Sequence, residues 1–427
     1  MRHPALFHAL LLTGAMLAAL AVPSAARAQA WQLEHWTATW GASPAGPPQP
    51  ANTLTFTDQT LRLVVHTSIG GNRVRIRLSN EMGGTLLRIG QADIAVRALG
   101  ASIVPGTDRP LTFSGTSSIT IAPGAAVLSD PVELNVAPLS DLAVSIYLPG
   151  SVQATTTHNT SQSSYVSQQG NYVGAYTLPV ALTIASWPFL TAVDVDSAGA
   201  AIVTLGDSVT DGARTTLDTN SRWPDWLARR LQTVRDPVLG INGRLSVVNR
   251  GISGNRLLAN APQGSLAGRS ALERFDRDVL ATAGVRYMTV LIGIQDLGAS
   301  PENAPVSQYD LIAGYRQLIA RAHAKGIAVY GATLTPFEGS ALYSPAREQV
   351  RQQINTWIRA SDEFDGVIDF DQAMRDPVHG ARLLPAYDSG DHLNPNDLGN
   401  QAMANAVPLT LFRSIGVQAR TGSTTGK

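Results

Sequence analysis

Apolar and polar positions follow two different rhythms along this chain. Up to about residue 190, short runs alternate with period two or are rich in β-branched residues: Leu61–Thr67, Arg73–Leu78, Ile94–Arg97, Ser118–Ile121 and Leu142–Leu148. Gly and Pro clusters separate them, and no helical stripe of useful length intervenes. Such spacing predicts a β-sandwich or jelly-roll-like domain over residues 31–190. Within it, Arg73, Arg75 and Arg77 fall on one face of a strand and read as a solvated face, and His66 reads as structural. Beyond residue 198 the rhythm changes. Strand-like runs at Ala200–Leu205, Ser246–Asn249, Tyr287–Ile292, Ile327–Leu334 and Gly366–Phe370 alternate with amphipathic segments. These begin near Ser221 and cover 265–281, 309–324, 345–360 and 397–412. Five strands alternating with helices predict a doubly wound parallel sheet over residues 198–416, with helices on both faces.

The segment between the two rhythms, 151–190, is dominated by Thr, Ser, Gln, Asn and Tyr. That composition fits a disordered linker. Its three tyrosines and Trp187-Pro-Phe-Leu190 point instead to an ordered crossing that brings His158 and Tyr165 toward the mouth of a site.

A doubly wound sheet gathers the carboxyl ends of its strands on one rim, where ligands bind. Polar insertions stand at those ends. Gly206-Asp207-Ser208 with Asp211 follows the first strand, and Asn249-Arg-Gly251-Ile-Ser-Gly254-Asn255 the second. Gly293-Ile-Gln295-Asp296 follows the third and Glu338 the fourth, and Asp391-His392-Leu-Asn394-Pro395 precedes the last helix. Gly-Asp-Ser alone is equally a capped strand-to-helix turn. Taken together, the loops offer an exposed serine where a nucleophile would sit. Backbone N–H groups in their Gly-rich turns, together with side-chain amides, are what an oxyanion needs.

Composition narrows the partners. Lys and Arg total 32, as do Asp and Glu, and only 15% of residues are charged, so nucleic acid and acidic membrane surfaces are not indicated. The absence of cysteine excludes disulfides and a thiol nucleophile. No His/Asp/Glu cluster has metal-ligand spacing, so neither cofactor nor metal is expected. At the start, Arg2 and His3 precede an apolar stretch, Ala5–Val22, and an Ala26-Arg-Ala28 ending. The stretch is nearly long enough to span a bilayer, but the small-residue ending favours a cleaved signal peptide over residues 1–28. The expectation is a periplasmic or secreted protein without a membrane contact after cleavage, with a disordered tail over 417–427.

With these blocks in view, the second half resembles the SGNH (GDSL) hydrolase family from about Ala200 to Gly416. The first half resembles the β-rich domain of an exported bacterial subgroup. The resemblance implies a flavodoxin-like fold and ester hydrolysis through an acyl-enzyme. Ser208 would be the nucleophile, with the backbone N–H groups of Ser208 and Gly251 as oxyanion donors. Two positions depart from the family pattern. Gln295 stands where the family has an oxyanion Asn, and Asn394 stands where it has the general-base His that Asp391 would orient. A neutral amide cannot take a proton from Ser208. His392 is either a surrogate base or a loop-surface histidine; in the register that makes it the base, Ser389 takes the place of Asp391.

Three functions remain open on the sequence. The first is a hydrolase of carboxyl esters, such as O-acylated carbohydrate or short acyl or aryl esters, with altered machinery. The second is a carbohydrate-active enzyme using rim carboxylates among Asp207, Asp211, Asp296, Glu338 and Asp391 on a glycosidic bond. The third is a non-catalytic protein that binds a glycan or a partner.

Overall fold

The computed structural model describes residues 35–234 and 243–412. The signal segment and tail expected from the sequence lie outside these residues. Thirteen strands come first: β1 (Trp36–Gly41), β2 (Thr55–His66), β3 (Gly71–Ser79), β4 (Leu87–Ile89), β5 (Gln91–Val96), β6 (Arg109–Leu111) and β7 (Ile119–Ile121). They continue with β8 (Ala126–Leu128), β9 (Val132–Val136), β10 (Asp141–Gln153), β11 (Asn159–Gln169), β12 (Val180–Ser186) and β13 (Leu190–Asp196). One antiparallel sheet has the order β1-β13-β3-β8, with β9 also on β3. The other runs β12-β11-β2-β10-β5-β6. Alternate residues point to one face of a strand. Accordingly Leu61, Leu63 and Val65 of β2 meet Val74, Ile76 and Leu78 of β3 in one apolar core.

Of the two readings of residues 151–190, the structure shows strands rather than a disordered linker: β11, β12 and the start of β13; two other expectations need correction. β11 escapes a hydrophobic-pattern reading because its buried residues, Val166 apart, are polar. Ser164 Oγ and Ser167 Oγ accept the backbone N–H groups of Val64 and Thr60, Ser167 at the point where the β11–β2 ladder slips register. The sandwich also continues to Asp196 rather than stopping at 190, because β13 lies between β1 and β3. Finally, the arginine face of β3 is half-buried. Arg75 lies 4.4 Å from the Trp36 ring and 3.0 Å from Asp194, and Arg77 donates to Ala281 O in the second half.

The second half is built on five parallel strands: β14 (Ala200–Gly206), β15 (Leu245–Gly251), β16 (Val285–Leu291), β17 (Ala328–Ala332) and β18 (Gly366–Ile368). Their order, β15-β14-β16-β17-β18, is the flavodoxin-like arrangement in which chain order reverses beside the first strand. The helices are α1 (Ser208–Asp211), α2 (Trp223–Thr233), α3 (Ala271–Phe275), α4 (Ile294–Ala299), α5 (Gln308–His323), α6 (Pro345–Ala360), α7 (Phe370–Met374) and α8 (Asp397–Ala406). α3 passes into a π turn over Asp276–Leu280, so the helix expected over 265–281 begins later and is irregular. Among the described residues no helix is long and apolar enough to cross a membrane.

The halves share a polar seam. Ala38 N–H donates to Ala283 O, and Val247 N–H donates to Ser68 Oγ. Arg250 donates to Ala42 O and Thr191 O. Arg274, fully buried, joins Ser43 Oγ, Asp278 Oδ2 and the carbonyls of Arg250 and Gly206. It therefore ties the seam to the last residue of β14, two positions before Ser208.

Candidate active site

β14 delivers Ser208 to the rim. A Cβ on Gly206 would lie 2.2 Å from Thr210 Oγ1 and 2.7 Å from Leu291 O, so the turn closes only around glycine. Asp207 caps α1, its Oδ1 accepting the Val209 N–H at 3.1 Å. The single turn of α1 ends at Gly212, whose φ of 88° favours glycine. Ser208 stands at the start of that turn, as expected, but it is not exposed. It is 5% accessible, and its Oγ has no hydrogen-bond partner among the described residues. A buried hydroxyl left unpaired is costly unless another group is meant to use it.

One expected oxyanion donor is engaged within its own loop. The Gly251 N–H is already taken: it donates to Asn249 Oδ1 at 2.8 Å. A side chain at Gly251 would strike the Asp211 backbone N at 2.2 Å, so this glycine serves close packing of β15 on α1. Farther along the same loop, Gly254 (φ 79°) lines a cavity with His158, Asp211 and Ser253. Gln295 is half-buried on α4, at the end of β16.

The remaining rim residues are mostly engaged. Asn255 donates to Ala267 O and Arg269 O and accepts from Arg274 Nε, which holds the loop shape. Asp296 accepts the backbone N–H groups of Leu257 and Leu258 at 2.7 and 2.9 Å. Glu338 is paired with Arg382 at 2.7 Å. Asp211 Oδ1 meets His158 Nε2 at 3.0 Å, and its Oδ2 accepts the N–H and hydroxyl of Ser253. His158 thus reaches the rim from the sandwich, whereas Tyr165 pairs with Arg62 inside the six-stranded sheet. His66 is held by Asp141 at 2.7 Å and lines a cavity together with His158, Asp211 and Asn249.

Burial dominates the electrostatics of two rim carboxyls. It pushes Asp207 up to about 7, with Asp296 adding to the rise against the Val209 N–H. It pushes Asp296 up to about 6 despite its two backbone donors.

The loop before α8 keeps the scaffold of a base without the base. Asp391 Oδ1 accepts the backbone N–H groups of Leu393 and Asn394, and its Oδ2 accepts Asn394 Nδ2 at 2.8 Å and Arg214 Nε at 3.2 Å. Burial raises this carboxyl, but the bonds from Asn394, Leu393 and Arg214 outweigh it and hold Asp391 below its ordinary range. Asn394 is 6% exposed, and its Oδ1 has no partner among the described residues. His392 is engaged elsewhere. Its Nδ1 lies 2.5 Å from Asp388 Oδ2, its ring packs on Gly339, and its side chain is 52% exposed. The carboxylate partner of His392 is therefore Asp388, not a group three residues before it. Arg214, six residues past Ser208, carried no sequence signal; only the folded loop shows that it braces Asp391. Among the described residues, no group of three or more His, Asp or Glu is arranged to hold a metal.

Residues 204–402 match the GDSL-like Lipase/Acylhydrolase family. A comparison with curated proteins returns no match. Among solved structures, an acetyl xylan esterase from Geobacillus stearothermophilus is similar at 22% identity, over 52% of this chain and 98% of its own, with a TM-score of 0.38. A G-D-S-L family protein from Desulfitobacterium hafniense is similar at 19% identity, over 49% and 97%, with a TM-score of 0.37. An α/β hydrolase from the metagenome of Lake Arreo, Spain, is similar at 22% identity, over 50% and 96%, with a TM-score of 0.36. The Gly-Asp-Ser turn, the reversed strand order and the family match coincide on one stretch: residues 204–402 of this chain are a GDSL-like lipase/acylhydrolase domain.

Proposed function

We propose that this protein is an exported hydrolase of carboxyl esters, O-acylated carbohydrates or short acyl or aryl esters, in which Ser208 is the nucleophile and the general base is missing. The observation that carries this reading is a pair of buried, unpartnered polar atoms, Ser208 Oγ and Asn394 Oδ1, in loops that Arg214 links to Asp391. Asp391 grips Asn394 Nδ2 as it would grip the Nδ1–H of an imidazole, so the orienting half of a triad persists. The missing half is the proton acceptor. In a serine hydrolase its loss costs on the order of 10⁶ in kcat. The glycosidic reading finds no support: Asp211, Asp296, Glu338 and Asp391 are each tied to donors, and Asp207 caps α1. The binding-protein reading is favoured by one observation, the neutral amide of Asn394 in the base position.

The test is turnover of p-nitrophenyl acetate. Asn394→His should raise kcat by about 10³ or more, because Asp391 already stands ready to orient the ring. Ser208→Ala should then abolish that gain. An unchanged rate in Asn394→His, with the ring shown by NMR to be hydrogen-bonded to Asp391, would discard the esterase in favour of the binding protein.

A further inference from the structure

The sandwich touches the helix of the nucleophile through one side chain, and the protons of that side chain can be counted. His158 Nδ1 lies 2.8 Å from Ser43 O, and Nε2 lies 3.0 Å from Asp211 Oδ1. A carbonyl oxygen can only accept. The Asp211 carboxylate can only accept as well, and its other oxygen already takes two donors from Ser253. Both ring nitrogens therefore face acceptors, and both contacts are hydrogen bonds only when the ring carries two protons. The ring is 5% exposed and stacks on the Trp187 indole at 5.9 Å, with 18° between the planes. From Asp211 the connection continues along the rim. Its other oxygen accepts the Ser253 N–H at 2.9 Å and the Ser253 hydroxyl at 2.6 Å, next to Gly254.

We propose that His158, as an imidazolium, is a positioning residue for ester hydrolysis at Ser208, a role that rests on the hydrolase reading above. Through Asp211 it fixes both the end of α1 and the Ser253–Gly254 turn, so the β-sandwich sets the geometry of the rim. The other charged and titratable groups around the ring are few. Arg222, ahead of α2, lies 5.6 Å from the Trp187 ring, and Arg274 of α3 donates to Ser43 Oγ. His66 of β2 and Asp225 of α2 line the same cavity. None of them replaces the ring as the donor to Asp211 Oδ1. Loss of the donor to Asp211 slackens the Asp211–Ser253 connection, so the rate falls while substrate affinity is retained.

The experiment reads the protonation, the loop and the rate separately on the full chain. In ¹⁵N NMR of the native protein both His158 ring nitrogens should carry a proton; one unprotonated nitrogen overturns the proposal. In His158→Ala, hydrogen exchange at the Ser253 amide should quicken by about tenfold or more, since a local opening has become easier. In the Asn394→His background the same change should lower kcat by roughly 10–100-fold with KM nearly unchanged, the signature of misplacement rather than lost binding. His158→Gln keeps a donor to Asp211, so it should recover part of that loss; it also stands in should His158→Ala not fold. Unaltered Ser253 exchange together with unaltered kcat overturns the proposal. If Asn394→His turns over no ester, the hydrolase reading fails, while the ring and exchange measurements still decide whether His158 holds the rim.

Discussion

Two clusters of buried acid in the second half of the chain are treated in opposite ways. At the seam, Asp278 is 1% exposed and surrounded by cations. Arg277 Nε and Nη2 lie 2.6 and 2.9 Å from its two oxygens, and Arg274 Nη1 lies at 2.9 Å. Burial would raise this carboxyl, yet Arg277, Arg274 and Arg250 hold it far below its ordinary range. At the rim, Asp207 and Asp296 are almost as buried but rely on backbone N–H groups, and burial wins. Equal burial therefore gives a fixed anion in one place and a proton-holding carboxyl in the other. The difference lies in the partners: guanidinium groups hold the charge at the seam, whereas Asp207 and Asp296 lean on backbone donors and keep their protons beside the rim's two paired carboxylates, Asp211 and Asp391.

The contrast can be broken most forcefully at the seam. Asp278→Ala strands buried guanidinium groups, and breaking such a network should cost about 3–5 kcal/mol, read as a lowered urea midpoint. A loss below about 1 kcal/mol, the range of an exposed pair, would mean the seam is not held by charge.

The rim should respond to pH instead. Asp207 and Asp296 keep protons in the native state that the unfolded chain releases near pH 4, so folding stability should fall as the pH rises from about 4 to about 7 and then level off. Asp207→Asn keeps the cap on Val209 and removes the titration, so its stability curve should be flatter across that window. An identical slope in the variant would assign the dependence elsewhere. Asp278 contributes the opposite sign. Its stabilisation is complete above the ordinary aspartate range and is lost only in strong acid, below the rim's window.

The smallest effect concerns rate alone. In the Asn394→His background, Gln295→Asn shortens the amide by one methylene and should raise kcat by no more than about tenfold, because a misplaced oxyanion donor costs less than an absent one. The melting temperature should barely move. A stability change larger than the rate change would place Gln295 with the seam rather than with the chemistry.

Much of this was legible in the sequence, for particular reasons. Helix α6 begins at Pro345 and ends at Ala360, where the amphipathic stripe and the proline at its first turn set it. The five parallel strands declared themselves by apolar runs that end in polar turns. β11 did not, because its inward residues, Val166 apart, are polar and two of its hydroxyls satisfy backbone amides of β2, and a hydrophobic pattern is blind to that exchange. At the site, Ser208 stood out in the polar turn that ends an apolar strand, and the roles of Asp391 and Asn394 were expectations from the family resemblance. The occupation of the Gly251 N–H by Asn249, the pairing of His392 with Asp388 and the brace from Arg214 were not. Each depends on which way a loop side chain turns, and nothing in the local pattern encodes that.

The placement of β13 also sets a timetable for the nascent chain. β1 finds its ladder partner only in β13: Trp36 pairs with Asp196, and Thr37 Oγ1 donates to Ser197 O from 160 positions away. A polypeptide leaving the ribosome amino end first carries an unpaired β1 until that distant partner is made, and contacts of such range form slowly. β14, which holds the path to Ser208, follows β13 almost at once. The sandwich therefore cannot close long before the hydrolase sheet begins to form, and a ribosome stalled anywhere short of Asp196 would leave exposed strand edges rather than a finished first domain.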